Sequence, residues 1–300
     1  MSVLSSPQGT PERVWSLVAG LRALGGECDR ETFDALLNPG YLKDGGEARA
    51  NRALAANAVG AATSLGLVQA GREKVTLTTG RNLEGVSNFA DYVHDHLSSL
   101  ESGETDSAIL EAYAWLVAKS HQQGQLDWIY TSGREEFADM ANAALVGEDD
   151  DGRLMNTTKV VAWRRWSAFL GLGVVLPLPP TNKPDYSTPT ARLMRELNRA
   201  GISPNTVMSA EQFLSLVSGR MPYLDRGRLF TQACQRIGHT PSGRRVSPLL
   251  SLALRDLHDD KVLGLVLSGD ASTHLQLTPD DPAHSFNAFT GVNVFPVGSL

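Results

Sequence analysis

Three runs with helical spacing end on nearly the same phrase: Leu65-Gly66-Leu67-Val68, Leu172-Gly173-Val174-Val175 and Leu263-Gly264-Leu265-Val266. Such a recurrence constrains the fold more than composition does, because it implies one supersecondary plan used repeatedly. The first and third phrases run on into a turn and an alternating strand, the order in which a winged helix passes from its third helix into its wing. The expected fold is mainly α with small β-hairpins (α+β), built as three tandem winged-helix-like modules. Winged helices bind DNA, RNA or other proteins with the same backbone, so this fold does not by itself assign a function.

The first module is expected at 1–103. Thr10-Pro11-Glu12 opens its first helix with a hydroxyl N-cap, a proline at N1 and an acid in the first turn. A second helix is expected from Asp29 to Leu37 and an alanine-rich third from Glu47 to Leu65. Leu67-Val68 and Val75-Thr76-Leu77 then flank a glycine-containing turn as a β-hairpin, and a linking helix follows over Val86 to Leu100. The second module, 104–183, shows three helical stripes, the last through Val160, Trp163 and Leu170, with an acidic loop, Gly147 to Gly152, before it. Pro177, Pro179 and Pro180 follow its first strand, so its wing is expected to be reduced. The third and longest module, 184–300, predicts helices at Thr190 to Ala200, Ala210 to Val217, Leu224 to Ile237 and Leu249 to Asp259. A hairpin follows, pairing Val262 to Leu267 with His274 to Leu277. The tail from Phe286 to Phe295 alternates irregularly and is free to add a strand or to pack across another module.

With 42% hydrophobic and 20% charged residues in 300, the chain can bury a core in each module and is not of the disordered class. No stretch approaches the roughly 18 uninterrupted apolar residues of a membrane span, and the first residues lack a basic and apolar leader. A cytoplasmic location with no membrane partner is expected. Cys28 and Cys234 lie in separate modules, so both are expected to be buried small apolar residues rather than a disulfide or metal ligands. The net charge of -6 excludes a surface that clamps phosphate everywhere, where a basic excess is expected. Any nucleic-acid footprint must be local.

The third helix of a winged helix usually enters the major groove, which directs attention to its polar N-terminal residues. In the second module these are Asn156, Thr157, Thr158 and Lys159, continued by Arg164 and Arg165 beside Trp163 and Trp166. The competing explanation places both tryptophans in the core with the cations on a solvated face. In the first module, Arg49, Asn51, Arg52 and Asn57 occupy the third helix, and Arg72 and Lys74 the wing turn. The third module holds the densest basic stretch, Arg220, Arg226, Arg228, Arg236, Arg244 and Arg245 against the single acid Asp225. Thr240-Pro241-Ser242-Gly243 is expected to form a mobile turn that projects Arg244 and Arg245 toward phosphate. The competing explanation is internal ion pairing of the same arginines.

Catalytic chemistry finds little footing. His94-Asp95-His96 and His258-Asp259-Asp260 place neighbours on different helix faces, without a third metal ligand at a telling spacing, and are expected to be exposed surface residues. Asp149-Asp150-Asp151 lacks the glycine and glutamate positions of a calcium loop. Phosphate-binding, dinucleotide, nucleophile-elbow and HExxH motifs are absent from the sequence. No enzyme, no cofactor and no metal are expected.

Ser6-Pro7-Gln8-Gly9-Thr10-Pro11, the segment from Gln212-Phe213-Leu214 through Pro222-Tyr223-Leu224-Asp225-Arg226-Gly227-Arg228-Leu229-Phe230, and Ser247 to Val266 together resemble the DpdG family. That family belongs to bacterial gene clusters that insert 7-deazaguanine bases into DNA and restrict DNA lacking them. The resemblance implies a component of a modification and restriction (anti-phage) system, acting beside helicase-like and nuclease-like partners. It brings no catalytic residues to transfer. The function expected is a non-enzymatic nucleic-acid-binding subunit whose partners are DNA and other proteins of the same defence cluster. The alternative is a scaffold whose winged helices join those proteins.

Overall fold

A computed structural model describes residues 2–37, 53–78, 80, 83–146, 153–174, 186–203, 205–269, 274–279 and 286–295. The fold is mainly helical with small antiparallel strand pairs. Among the described residues, no helix is long and apolar enough to cross a membrane. The chain divides into two compact units, the first holding 1–109 and 158–170, the second 110–157 and 171–300. These units are defined by compactness, whereas the three expected modules rest on repeated order.

In the first unit, α1 (Pro11–Ala23) starts at Thr10 with proline at N1, although the Thr10 hydroxyl makes no capping bond. After β1 (Glu27–Asp29) come α2 (Arg30–Leu37), α3 (Ala53–Ser64), β2 (Val68–Ala70), β3 (Lys74–Leu77) and α4 (Gly85–Ser99). The strands form an antiparallel sheet in the order β1-β3-β2, with Cys28 opposite Val75 and Ala70 opposite Val75 from the other side. The core joins Val14, Leu17, Val18 and Leu21 of α1 to Phe33 and to Ala55, Ala58, Ala61 and Ala62 of α3. Alanine there allows close approach: a Cβ on Gly9 would lie 2.8 Å from Ala61 Cβ and from the Asn57 carbonyl. The last helix of this unit, α8 (Thr157–Phe169), inserts Trp163 and Trp166 into the core.

The second unit carries α5 (Ala108–Gln123), α6 (Asp127–Thr131) and α7 (Arg134–Val146). From Leu110 to Ala118 α5 is buried on every face, as expected of a central helix. Trp115 meets Trp128 and Phe137 edge-on at 5.5 and 5.4 Å. Where a reduced wing is expected, β4 (Gly173–Val174) pairs antiparallel with β5 (Tyr186–Ser187), and residues 175–185 with their prolines lie outside the described residues. Then come α9 (Thr190–Arg199), β6 (Thr206–Ser209), α10 (Ala210–Arg220), α11 (Arg228–Arg236) and α12 (Pro248–Asp259). Ser209 closes a reciprocal capping box with Gln212, and Ser247 caps α12 ahead of Pro248.

The strand pairing after α12 differs from the expected hairpin. Strand β7 (Leu263–Val266) does not pair with β8 (Leu275–Gln276); it pairs with β10 (Gly291–Val294), which is the middle strand of β6-β10-β7. β8 pairs instead with β9 (Ala288–Phe289). Burial explains the choice. Gly291, Val292 and Val294 are buried between two neighbours, and a Cβ on Gly291 would stand 2.7 Å from the Met208 carbonyl.

The recurring Leu-Gly phrase also proves uneven. Gly66 is the left-handed residue that ends α3, with its N–H bonded to Thr63 O and that of Leu67 to Ala62 O. After α12 the same two bonds are made by Lys261 and Val262, with Lys261 left-handed at φ 55°, so Gly264 falls inside β7. After α8 the left-handed residue is Gly171, and Gly173 lies in β4.

Candidate nucleic-acid interface

In the first unit the indole N–H groups of α8 fix its orientation: Trp163 donates to Ile109 O at 2.9 Å and Trp166 to Gly9 O at 3.2 Å. The tryptophans are therefore core residues, as the competing explanation held. Thr157, Thr158 and Arg165 are exposed, and Lys159 and Arg164 are half-buried. Arg165 forms an exposed ion pair with Glu12 at 3.1 Å, which lowers its availability without removing it. At the β2–β3 turn Arg72 is exposed, and Lys74 pairs with Glu27 at 3.2 Å. Arg49 and Arg52 lie outside the described residues, as does the Asp149–Asp151 run.

In the second unit the basic stretch sorts itself by partner. Arg220 binds Glu196 at 3.0 Å, a carboxylate that also holds Arg192 and Arg199. Arg236 binds Glu111 at 2.6 Å, and Arg226 grips Glu211 through both terminal nitrogens. The hydrogen bond from Arg226 holds the Glu211 carboxyl below the usual glutamate range. Internal pairing thus accounts for three of the arginines. Arg244 and Arg245 are different: both are exposed, and neither has an acidic partner among the described residues.

The backbone of Arg244 to Val246, just after the turn expected from Thr240 to Gly243, is held by hydrogen bonds. Gln276 N donates to Arg244 O at 2.7 Å, Val246 N donates to Gln276 O at 3.0 Å, and the Thr278 hydroxyl donates to Val246 O. Nearer the turn, Ser242 Oγ accepts from Arg244 N, and Gly243 O accepts from Arg226. The two guanidinium groups therefore project from a fixed strand-like segment. Preorganised cations lose less freedom on meeting phosphate than cations on a free loop.

Beside this segment is a cavity of about 260 Å³. One wall is the tight loop before α11. There Arg226 is left-handed at φ 66°, and a Cβ on Gly227 would stand 2.2 Å from the Pro222 carbonyl, which itself accepts from Leu229 N and Phe230 N. That packing turns the Asp225 carboxylate inward, where it accepts from Ser247 N and Ser247 Oγ, each at 2.6 Å. Burial pushes the Asp225 carboxyl above its ordinary value, against the Ser247 hydrogen bonds and nearby His121, which pull it down.

On the other side His121, from α5, faces His239, with Nδ1 and Nε2 2.9 Å apart, and its own Nε2 lies 3.2 Å from Arg245 O. A carbonyl only accepts, so His121 Nε2 carries the proton, its Nδ1 is the acceptor, and His239 Nε2 donates. Burial, and then His121, hold His239 below the ordinary histidine value. The pair ties the Arg245 segment to α5.

Sequence reasoning singled out Arg244 and Arg245 but not His121, His239 and Ser247, which the structure places around the same segment. His121 and His239 are 118 positions apart, and no local spacing announces them. The other histidines also depart from expectation. His94 is buried, because it continues the stripe of Phe89, Ala90, Val93 and Leu97 along α4. His258 is half-buried and accepts from Leu265 N at 3.2 Å. Cys234 is buried, its thiol pushed up to about 11 by burial, whereas Cys28 in β1 is only half-buried.

A family model described as DpdG-like matches residues 1–271. No curated protein and no solved structure matches the chain. All three segments that carry the resemblance have structural roles described above: Gly9 against α3, the 222–230 loop with its buried Asp225, and Ser247 at the head of α12.

Proposed function

The chain belongs to the DpdG-like family, and from that premise we propose that it is a non-enzymatic nucleic-acid-binding subunit within the Dpd defence system, acting with other proteins of that system. The observation that carries this reading is the pair Arg244 and Arg245, exposed and without acidic partners among the described residues, on a backbone fixed by β8. Exposed arginines on a rigid edge suit phosphate oxygens, which accept from the guanidinium fork. In the first unit, the order α1, β1, α2, α3, β2, β3 with sheet order β1-β3-β2 supports a winged-helix assignment, with Arg72 at the wing turn. Thr157, Thr158, Lys159, Arg164 and Arg165 of α8 form a second, weaker set, since its tryptophans serve the core.

The test is fluorescence anisotropy of labelled duplex and single-stranded DNA with the full chain at low salt. Wild type binds, and Arg244→Glu with Arg245→Glu weakens binding about tenfold or more with an unchanged thermal melt. Failure of wild type to bind any strand, alone or with partner proteins, overturns the proposal.

A scaffold role is favoured by a different observation. Leu24 and Leu36 are 46% and 59% exposed beside an apolar cavity of about 510 Å³ in the first unit. It predicts co-purification with partner proteins that survives charge reversal at Lys159, Arg164, Arg165, Arg244 and Arg245.

A further inference from the structure

We propose that the cavity beside Arg245 receives a single nucleobase, one bearing an amino group, from a DNA strand whose phosphates lie on Arg244 and Arg245. The inference rests on the nucleic-acid reading and adds to it a ligand class and a strand state.

Size sets the first limit. Ligand pockets for drug-sized molecules run from about 300 to 1,000 Å³, and this one, at about 260 Å³, suits one ring system rather than a dinucleotide. The floor follows from burial: Leu214, Phe230, Val246 and Leu275 are buried lining residues and supply an apolar, partly aromatic surface. Thr231, Ser242 and Arg245 are exposed lining residues and so mark the opening. A phosphate would leave that apolar floor uncovered and would meet the Asp225 carboxylate. A base covers the floor and leaves its own phosphate outside, on the arginines.

Asp225 decides which bases fit. Each of its oxygens accepts one hydrogen bond from Ser247, and a carboxylate oxygen has a second lone pair to offer. A buried acceptor with spare capacity selects a donor, which cytosine, adenine and guanine offer through an exocyclic amino group and thymine only through its ring N3–H, between two carbonyls that the carboxylate repels. The buried lining lies behind the exposed rim of Thr231, Ser242 and Arg245, so a base stacked within a duplex does not reach it. The base must come from a single strand or be turned out of a helix.

The experiment uses the full chain and three labelled strands of equal length: oligodeoxycytidine, oligothymidine, and the cytidine strand with abasic sites through its centre. Thr231→Trp plugs the opening from an exposed position of α11 whose hydroxyl bonds only locally, to Gly227 O. Wild type is expected to hold the cytidine strand about tenfold tighter than the abasic strand, with oligothymidine between them. Thr231→Trp should abolish that preference, a loss on the scale of base stacking, and leave abasic affinity within about twofold of wild type. Arg245→Gln should weaken all three strands together. Equal wild-type affinity for cytidine and abasic strands overturns the base pocket and leaves phosphate binding standing. Loss of abasic affinity in Thr231→Trp also overturns it, because the plug then acts on the strand path. Absence of binding to every strand overturns both readings at once.

Discussion

Two residues show how backbone geometry limits this sequence. Lys261 takes the left-handed position after α12 that Gly66 takes after α3, with the same pair of capping bonds. A side chain costs about 1 kcal/mol or more in that conformation, so Lys261→Gly should raise stability by about 1 kcal/mol, read as a higher midpoint in thermal or denaturant unfolding. At Gly227 the limit is contact, since a Cβ would meet the Pro222 carbonyl at 2.2 Å. Gly227→Ala should lower stability by about 3 kcal/mol, at the upper end of overpacking costs, and should displace Asp225 from Ser247. Chemical denaturation measures the first effect, and amide exchange at Ser247 N measures the second. The sequence announces neither position: a lysine gives no sign of a left-handed backbone at 261, and Gly227 looks the same as a glycine in any turn. Arg244 and Arg245 were legible from composition and Thr240-Pro241-Ser242-Gly243, but their fixed backbone was not, since Gln276 supplies it from a later strand.

The elements themselves were readable where local chemistry specifies them. Pro11 and Pro248 mark helix starts, Ser209 with Gln212 makes a capping box, and the spacing of Val14, Val18 and Leu21 gives the buried face of α1. Pairing of strands was not readable, because His274 to Leu277 and Val292 to Val294 both alternate acceptably and only burial separates them. The histidine tether between α5 and the Arg245 segment is likewise non-local, and it makes a pH prediction. In the neutral pair His239 Nε2 donates to His121 Nδ1, and burial disfavours the charged form of His239. His239 is held below its unfolded value of 6.5 by burial and by His121. Its contribution to stability is therefore complete above about 6.5 and is lost as pH falls through the lower folded value. Protection of Val246 N, which bonds Gln276 O, should decline over that window in hydrogen exchange. His239→Gln should flatten the decline. A decline that is unchanged in the variant would assign the effect to another group.

At the scale of the whole molecule, the family match ends at residue 271, while the middle strand of the β6-β10-β7 sheet lies at 291–294. The matched segment therefore lacks the strand that covers β7. A chain ending at 271 should be insoluble or lose cooperative unfolding, whereas the full chain unfolds in one or two sharp transitions. The net charge of -6 conceals an asymmetry: half of the basic stretch of the second unit, Arg220, Arg226 and Arg236, is spent on Glu196, Glu211 and Glu111. Arg244 and Arg245 stand apart from these pairs, on a held segment beside a cavity that Asp225 helps to line. The central claim is that this pair contacts phosphate, and the most direct test is the salt dependence of DNA affinity in wild type and in the Arg244→Gln, Arg245→Gln double variant. Removing two phosphate contacts should reduce the slope of log affinity against log salt by about 1.4 to 1.8, the lower figure for a single strand. An unchanged slope would show that the arginines do not touch the backbone and would contradict the account.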